Sequence, residues 1–247
     1  MDISKEEKKW ELVWNDEFEG TCIDRDKWGF ELGYIRNNEL QYYTDRKENA
    51  WIENSNLIIE ARKEDFNGFK YTSASLNTKG KNSFKYGRIE IRAKLPYGKG
   101  IWPAFWTLGN SFGTSGWPVC GEIDIMELVG GGVVNDSTTY ANLHWGENGN
   151  HKNVKGSTVL ESGIFADDYH NIGVEWDENH ISWFVDDKIY ETFIIDKKGM
   201  KSFHEPHFIL INLAVGGEWP GDPYEATVFP QRYYIDWIRI YKRSEKV

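Results

Sequence analysis

What the chain has little of narrows the field first. It holds two cysteines, Cys22 and Cys120, far apart and outside any C-x-x-C. That excludes a zinc knuckle or a disulfide framework and leaves at most one bridge between them. Six histidines show no H-E-x-x-H or comparable metal spacing. No apolar run approaches the roughly 18–20 residues that cross a bilayer. The first nine residues are charged and lack the apolar centre of a signal peptide. Residues 1–9 are expected to be a solvated tail. Positive charge is scarce, with 29 Lys and Arg against 39 Asp and Glu, a net of −10. Nucleic acids and anionic membranes are bound through basic patches, so neither is expected as a partner. A sulfated or uronic polymer is disfavoured on the same ground. Amphipathic helices longer than two turns, repeats and low-complexity linkers are missing as well.

What is abundant is aromatic: 12 Trp, 13 Tyr and 13 Phe in 247 residues. Trp and Tyr offer an apolar face and a polar handle, which suits flat ligands. Short alternating runs separated by turn residues predict an all-β sandwich, with residues 10–243 as a single domain. Strands are read at 10–14, 57–61, 87–95, 101–108, 122–128, 138–145, 172–177, 180–186, 189–195, 207–214 and 233–241. The run at 207–214 is nearly all apolar and should be buried on both faces. Segments 19–50 and 146–168 read as irregular. Asp186-Asp187 reads as a tight hairpin turn.

The centre of the chain is Gly121-Glu122-Ile123-Asp124-Ile125-Met126-Glu127-Leu128. In a regular strand Glu122, Asp124 and Met126 would share one face. The third acid arrives one place late, at Glu127. A β-bulge near Ile125-Met126 supplies the extra residue and turns all three carboxylates the same way. Like charges this close cannot all ionise, so at least one pKa must rise, which yields a proton donor beside an ionised carboxylate. Glycoside hydrolysis uses that pair, held about 5–5.5 Å apart for retention and roughly 6.5–9.5 Å apart for inversion. Glu122 and Glu127 flank Asp124 and can converge over it, which favours retention. A solvated strand face, or a calcium site built of clustered carboxylates, would give the same letters. The setting separates these readings. Trp102, Trp106, Trp117 and Trp145 all flank the acid strand in sequence. If they line its polar face, they wall a groove with carboxylates on its floor. Tyr140, Asn142 and His144 share a strand face that can pair with the acids. Asn37-Asn38-Glu39-Leu40-Gln41-Tyr42-Tyr43 offers amides and phenols, for turn chemistry or for sugar hydroxyls.

Glu122-Ile123-Asp124-Ile125-Met126-Glu127 resembles the bulged E-x-D-x-x-E signature of glycoside hydrolase family 16. Its flanks are similar to the laminarinase branch: Trp14-Asn15-Asp16-Glu17-Phe18, the 37–43 segment, Tyr86-Gly87-Arg88-Ile89-Glu90, Gly100-Ile101-Trp102-Pro103-Ala104-Phe105-Trp106, Asn212-Leu213-Ala214-Val215-Gly216-Gly217 and Tyr234-Ile235-Asp236-Trp237. The resemblance spans about residues 10–242. It implies a β-jelly-roll sandwich of two curved antiparallel sheets with a concave substrate groove. It implies endo-hydrolysis with retention of β-1,3-glucan, with mixed β-1,3-1,4-glucan as a second candidate substrate. Glu122 would be the nucleophile, Glu127 the acid/base, Asp124 the group that tunes them, and His144 their buttress. Asn38, Trp102, Trp106, Trp117 and Asn212 would hold sugars on the glycone side. No cofactor is implied for catalysis. A structural calcium ion would use Glu17, a backbone oxygen near Ser55, and Asp236. The family pattern usually carries a sugar-contacting Arg where this chain has Ser75. A neutral β-glucan partner, a monomer and an extracellular location are expected, since the polymer cannot enter a cell. The competing readings are a non-catalytic β-glucan lectin, which would have lost an acid, and a hydrolase of agar, carrageenan or xyloglucan.

Overall fold

The computed structural model describes residues 10–147 and 149–244. The expected tail at 1–9 lies outside them. Seventeen strands are described: β1 Trp10–Asp16, β2 Gly29–Glu31, β3 Gln41–Tyr43, β4 Ala50–Glu53, β5 Asn56–Phe66, β6 Phe69–Ser73, β7 Ser75–Asn77, β8 Gly87–Lys94, β9 Ile101–Gly109, β10 Glu122–Glu127, β11 Thr138–Glu147, β12 Asn150–Val159, β13 His170–Trp176, β14 His180–Val185, β15 Lys188–Ile194, β16 His207–Val215 and β17 Gln231–Arg243. Among the described residues helix is limited to single turns at Phe112–Ser115, Val133–Asp136 and Lys201–His204.

The strands form two sheets arranged as a jelly roll. One runs β15-β14-β13-β8-β17-β5-β6-β3, with β1 beside β17 and β4 beside β5. The other runs β12-β11-β10-β9-β16-β7-β2. Pairing is antiparallel except for β3 against β6. The period-two alternation read in β8 is what the fold uses. Ile89, Ile91 and Ala93 enter the core between the sheets. They meet Phe105, Ile123, Ile211 and Leu213 of the seven-stranded sheet within that same core. Burying each such side chain stabilises the fold by roughly 1.5–3 kcal/mol. β16 is buried along its whole length, as its composition predicts. Its Phe208 and Leu210 join Ala104, Trp106, Leu108 and Cys120 in a smaller apolar layer on the opposite face of the seven-stranded sheet. Asp186 and Asp187 have φ of 48° and 63°, both left-handed, as a two-residue hairpin turn demands.

Several expectations are corrected. Segment 146–168 is not one loop: Asn150–Val159 pairs with β11 over ten positions. β12 is an edge strand whose residues are mostly exposed, so nothing apolar marks it in the sequence. Segment 19–50 contains β2, β3 and the start of β4, each too short to show a period. Trp145 leaves the groove group. It falls out of step with Tyr140, Asn142 and His144 on its strand and packs against Phe203 on the core side. Cys22 and Cys120 are both free, the first exposed and the second buried.

Candidate active site

The bulge stands where the sequence places it. Against β9, Asp124 faces Trp106 and Met126 faces Phe105, so Ile125 is the surplus residue. Against β11, Asp124 faces Asn142 and Glu127 faces Tyr140. Ile123, Ile125 and Met126 all lie in the main core. Two consecutive apolar side chains thus turn inward, and the next residue, Glu127, returns to the face that carries Glu122 and Asp124. The apolar letters drive the bulge, and the acid is re-aimed as its consequence.

Each acid has a distinct surround. Glu127 accepts from Trp102 Nε1 at 3.0 Å and from Asn142 Nδ2 at 2.6 Å. His144 Nε2 lies 3.3 Å from Asp124 Oδ2 and 3.9 Å from Glu122 Oε1. The backbone carbonyl of Asp124 accepts from the buried Trp183 indole at 2.8 Å, which pins the strand from beneath. Burial is the main cause that lifts the Glu122 carboxyl well above its ordinary range; the Asp124 charge adds to it and His144 opposes it. Asp124 is also lifted well above its range, by burial and then by Glu127. Glu127 is raised by burial, against the hydrogen bonds from Asn142 and Trp102. A cluster with all three pKa values raised holds its protons to higher pH than isolated carboxyls do, the setting in which a proton donor and a carboxylate nucleophile can share one site.

The other expected residues fall in different places. Trp106 is only 7% exposed; its indole N–H donates to Asn212 Oδ1 at 2.7 Å. Asn212 Nδ2 in turn donates to Tyr43 Oη at 3.0 Å. Asn37 and Asn38 both take left-handed φ, the turn role. Asn38 Nδ2 also donates to Glu218 Oε1 at 2.7 Å, which ties that turn to the loop after β16. Gln41 and Tyr43 form a buried network around Glu39. The segment therefore supports the groove from behind at Gln41 and Tyr43. Trp117 is exposed and packs on His144 and His151, with ring centroids 6.0 and 4.7 Å away. Trp117 therefore lies on the β11–β12 side of the acid strand, whereas Trp106 and Asn212 lie on the β9–β16 side. The expected sugar-holding residues therefore stand on both flanks of the acid strand.

Three residues escaped the sequence reading. His151 Nε2 sits 2.9 Å from His144 Nδ1. Trp219 packs edge-on against Trp102 at 5.6 Å and against Tyr140 at 5.0 Å. The Arg36 guanidinium lies 5.0 Å from the Trp106 ring centroid. His151 and Trp219 sit in stretches read as loop, and Arg36 in the segment 19–50 read as irregular, so none carries a periodic signal.

The expected calcium ligands do not fit a cation. Strand register brings the segments near one another, since Ile235 faces Leu57 and Asp16 faces Ile238. Yet Glu17 takes both guanidinium nitrogens of Arg239, at 2.9 and 2.8 Å, and Asp236 pairs with Arg92 Nη1 at 2.5 Å. Ser55 sits in the β4–β5 turn with φ 53°. Two carboxylates already neutralised by arginine leave too little charge for a hard cation.

Residues 37–239 match the family model for glycosyl hydrolases family 16. The chain is 39% identical to the clotting factor G alpha subunit of Tachypleus tridentatus over 96% of its own length, but spans only 34% of that protein. It is 38% identical to the beta-glucanase of Rhodothermus marinus, covering 99% of this chain and 89% of that one. The solved laminarinase catalytic domain of Thermotoga maritima aligns with a TM-score of 0.86 and 46% identity, over 96% of this chain and 99% of that chain.

Proposed function

We propose, from the premise that this chain belongs to glycosyl hydrolases family 16, that residues 10–243 act as a single catalytic domain which cuts β-1,3-glucan internally and with retention. It is a glycoside hydrolase with the activity of an endo-β-1,3-glucanase. The observation that carries the mechanism is the bulge at Ile125, which aims Glu122, Asp124 and Glu127 out of one strand face. In the first step the Glu122 carboxylate attacks the anomeric carbon while Glu127 gives its proton to the departing glycosidic oxygen. The old C–O bond breaks and a glycosyl ester forms on Glu122. In the second step Glu127, now ionised, takes a proton from water as that water attacks the same carbon and releases Glu122. The Trp102 and Asn142 donors favour the charged form of Glu127 that the second step needs. Asp124 lies between the two glutamates, beside His144, where it holds the shared proton and tunes both.

Replacing Glu122 by Ser should lower the release of reducing ends from laminarin by at least about a thousandfold while laminari-oligosaccharides still bind. A wild-type rate would remove Glu122 from its role. Proton NMR of the first product should show the β-anomer; the α-anomer would mean inversion. A product profile on laminarin and lichenan decides between β-1,3 and mixed-linkage chains. Because the polymer is too large to enter a cell, the proposal has the enzyme work outside it, as a monomer, without nucleic acid or membrane as partner.

A further inference from the structure

We infer that Arg36 is a specificity-determining residue of this groove, one that hydrogen-bonds a sugar on the β9–β16 side of the acid strand where the Trp106 indole would otherwise be met. The inference rests on the hydrolytic reading above. Trp106 points to the acid-bearing face of the sheet, yet it is almost wholly buried, packed among Ala104, Leu108, Phe208 and Leu210 with the Arg36 guanidinium lying across its ring. A ligand that comes down on this part of the groove therefore encounters a cation's plane, with the indole behind it.

The guanidinium is built into place. Arg36 Nη2 donates to Glu31 Oε1, and Ser75 Oγ donates to the other oxygen of Glu31 at 2.7 Å. Register sets Glu31 opposite Ser75, and Ser75 opposite Asn212. The chain of support thus reaches from the edge strand to the residue that holds Trp106. Among the described residues Glu31 is the one acceptor that Arg36 meets, and the Arg36 side chain keeps 23% of its surface exposed. A guanidinium has five N–H donors, so most remain for a ligand. Glu31 pairs with the charge and Glu39 lies near it, so the position suits the paired hydroxyls of a neutral sugar better than an anion. Asn212 faces Ala104, and Ala104 faces Glu127. Ser75 thus stands three strand spacings from Glu127, roughly 14 Å at about 4.8 Å each. The Arg36 guanidinium itself reaches inward from there over Trp106, which faces Asp124 on the neighbouring strand, so the sugar it meets is the next one along on the β9–β16 side of the acid cluster.

The test is a chain-length series of laminari-oligosaccharides. Arg36→Met keeps the aliphatic stem and removes the donors. It should raise KM on long substrates roughly tenfold, about 1.4 kcal/mol, with kcat within about twofold and no change on the shortest oligosaccharide cut. The double variant Arg36→Gly with Ser75→Arg returns a guanidinium beside Glu31 from the facing strand and should recover most of the loss. If Arg36→Met does not fold, Glu31→Gln, which loosens the seat of Arg36, should shift KM in the same direction by less. Unchanged KM at every length in the folded variant overturns the inference. So does a loss confined to kcat, or one equal at all lengths. Wild-type protein that releases no reducing ends from any glucan would overturn the hydrolytic reading instead. Oligosaccharide titration of the Glu122→Ser protein, with and without Arg36→Met, would still decide the binding role of Arg36.

Discussion

Asp124 and Glu127 are buried and Glu122 is half-buried beside them, where charge is poorly solvated, and the fold is less stable for it. Their pKa values are raised in the folded protein. Between the unfolded value, about 4 for a carboxyl, and the higher folded value, the native state binds more protons than the unfolded chain. Stability therefore falls as pH rises through that window and stays flat above it. Glu122→Gln removes a charge the site resists. Its melting temperature at pH 7–8 should exceed wild type, by roughly 2–4 °C for each kcal/mol in a chain of this size, and the gain should vanish below about pH 4. Activity would be lost across the whole range. A gain that persists at low pH would mean the effect is packing rather than charge. The acids were legible in the sequence because their spacing departs from the strand period by one. Arg36 was not, because the partners that give it meaning, Trp106, Ser75 and Glu31, are joined only by strand register.

Strand β10 is set by the element before it as much as by its own residues. Gly121 has φ +82°, and a Cβ there would lie 2.6 Å from Ser202 Cβ. The turn into β10 is thus both left-handed and crowded, and only glycine meets both demands. Gly121→Ala should destabilise the fold by roughly 1–3 kcal/mol and lower kcat more than it raises KM, because Glu122 is the next residue. Denaturant melts together with laminarin kinetics would check both; a stable variant with altered KM alone would place the strain elsewhere. Elements were readable wherever one face is buried. β8, β9 and β16 alternate or saturate with apolar residues and were found to within a residue or so at each end. β12 was missed because an exposed edge strand has no buried face to pattern. β2, β3 and β7 were missed because three residues cannot show a period.

For the whole molecule the governing quantity is charge. A net of −10 surrounds a groove whose floor holds three carboxylates and whose arginine is already paired with Glu31. Such a field neither attracts nor repels a neutral glucan, but it opposes an anionic one. Raising salt from about 0.01 to 1 M shortens the screening length from about 30 to about 3 Å. Over that range kcat/KM on laminarin should stay within about twofold, since its recognition rests on hydroxyl contacts and ring faces. Any cleavage of a sulfated galactan should start lower and climb with salt as the repulsion is screened. Laminarin turnover that dropped steeply with salt would contradict this. It would mean that a net attraction between charges carries recognition, and that the Arg36 charge is not balanced by Glu31 as its pairing implies.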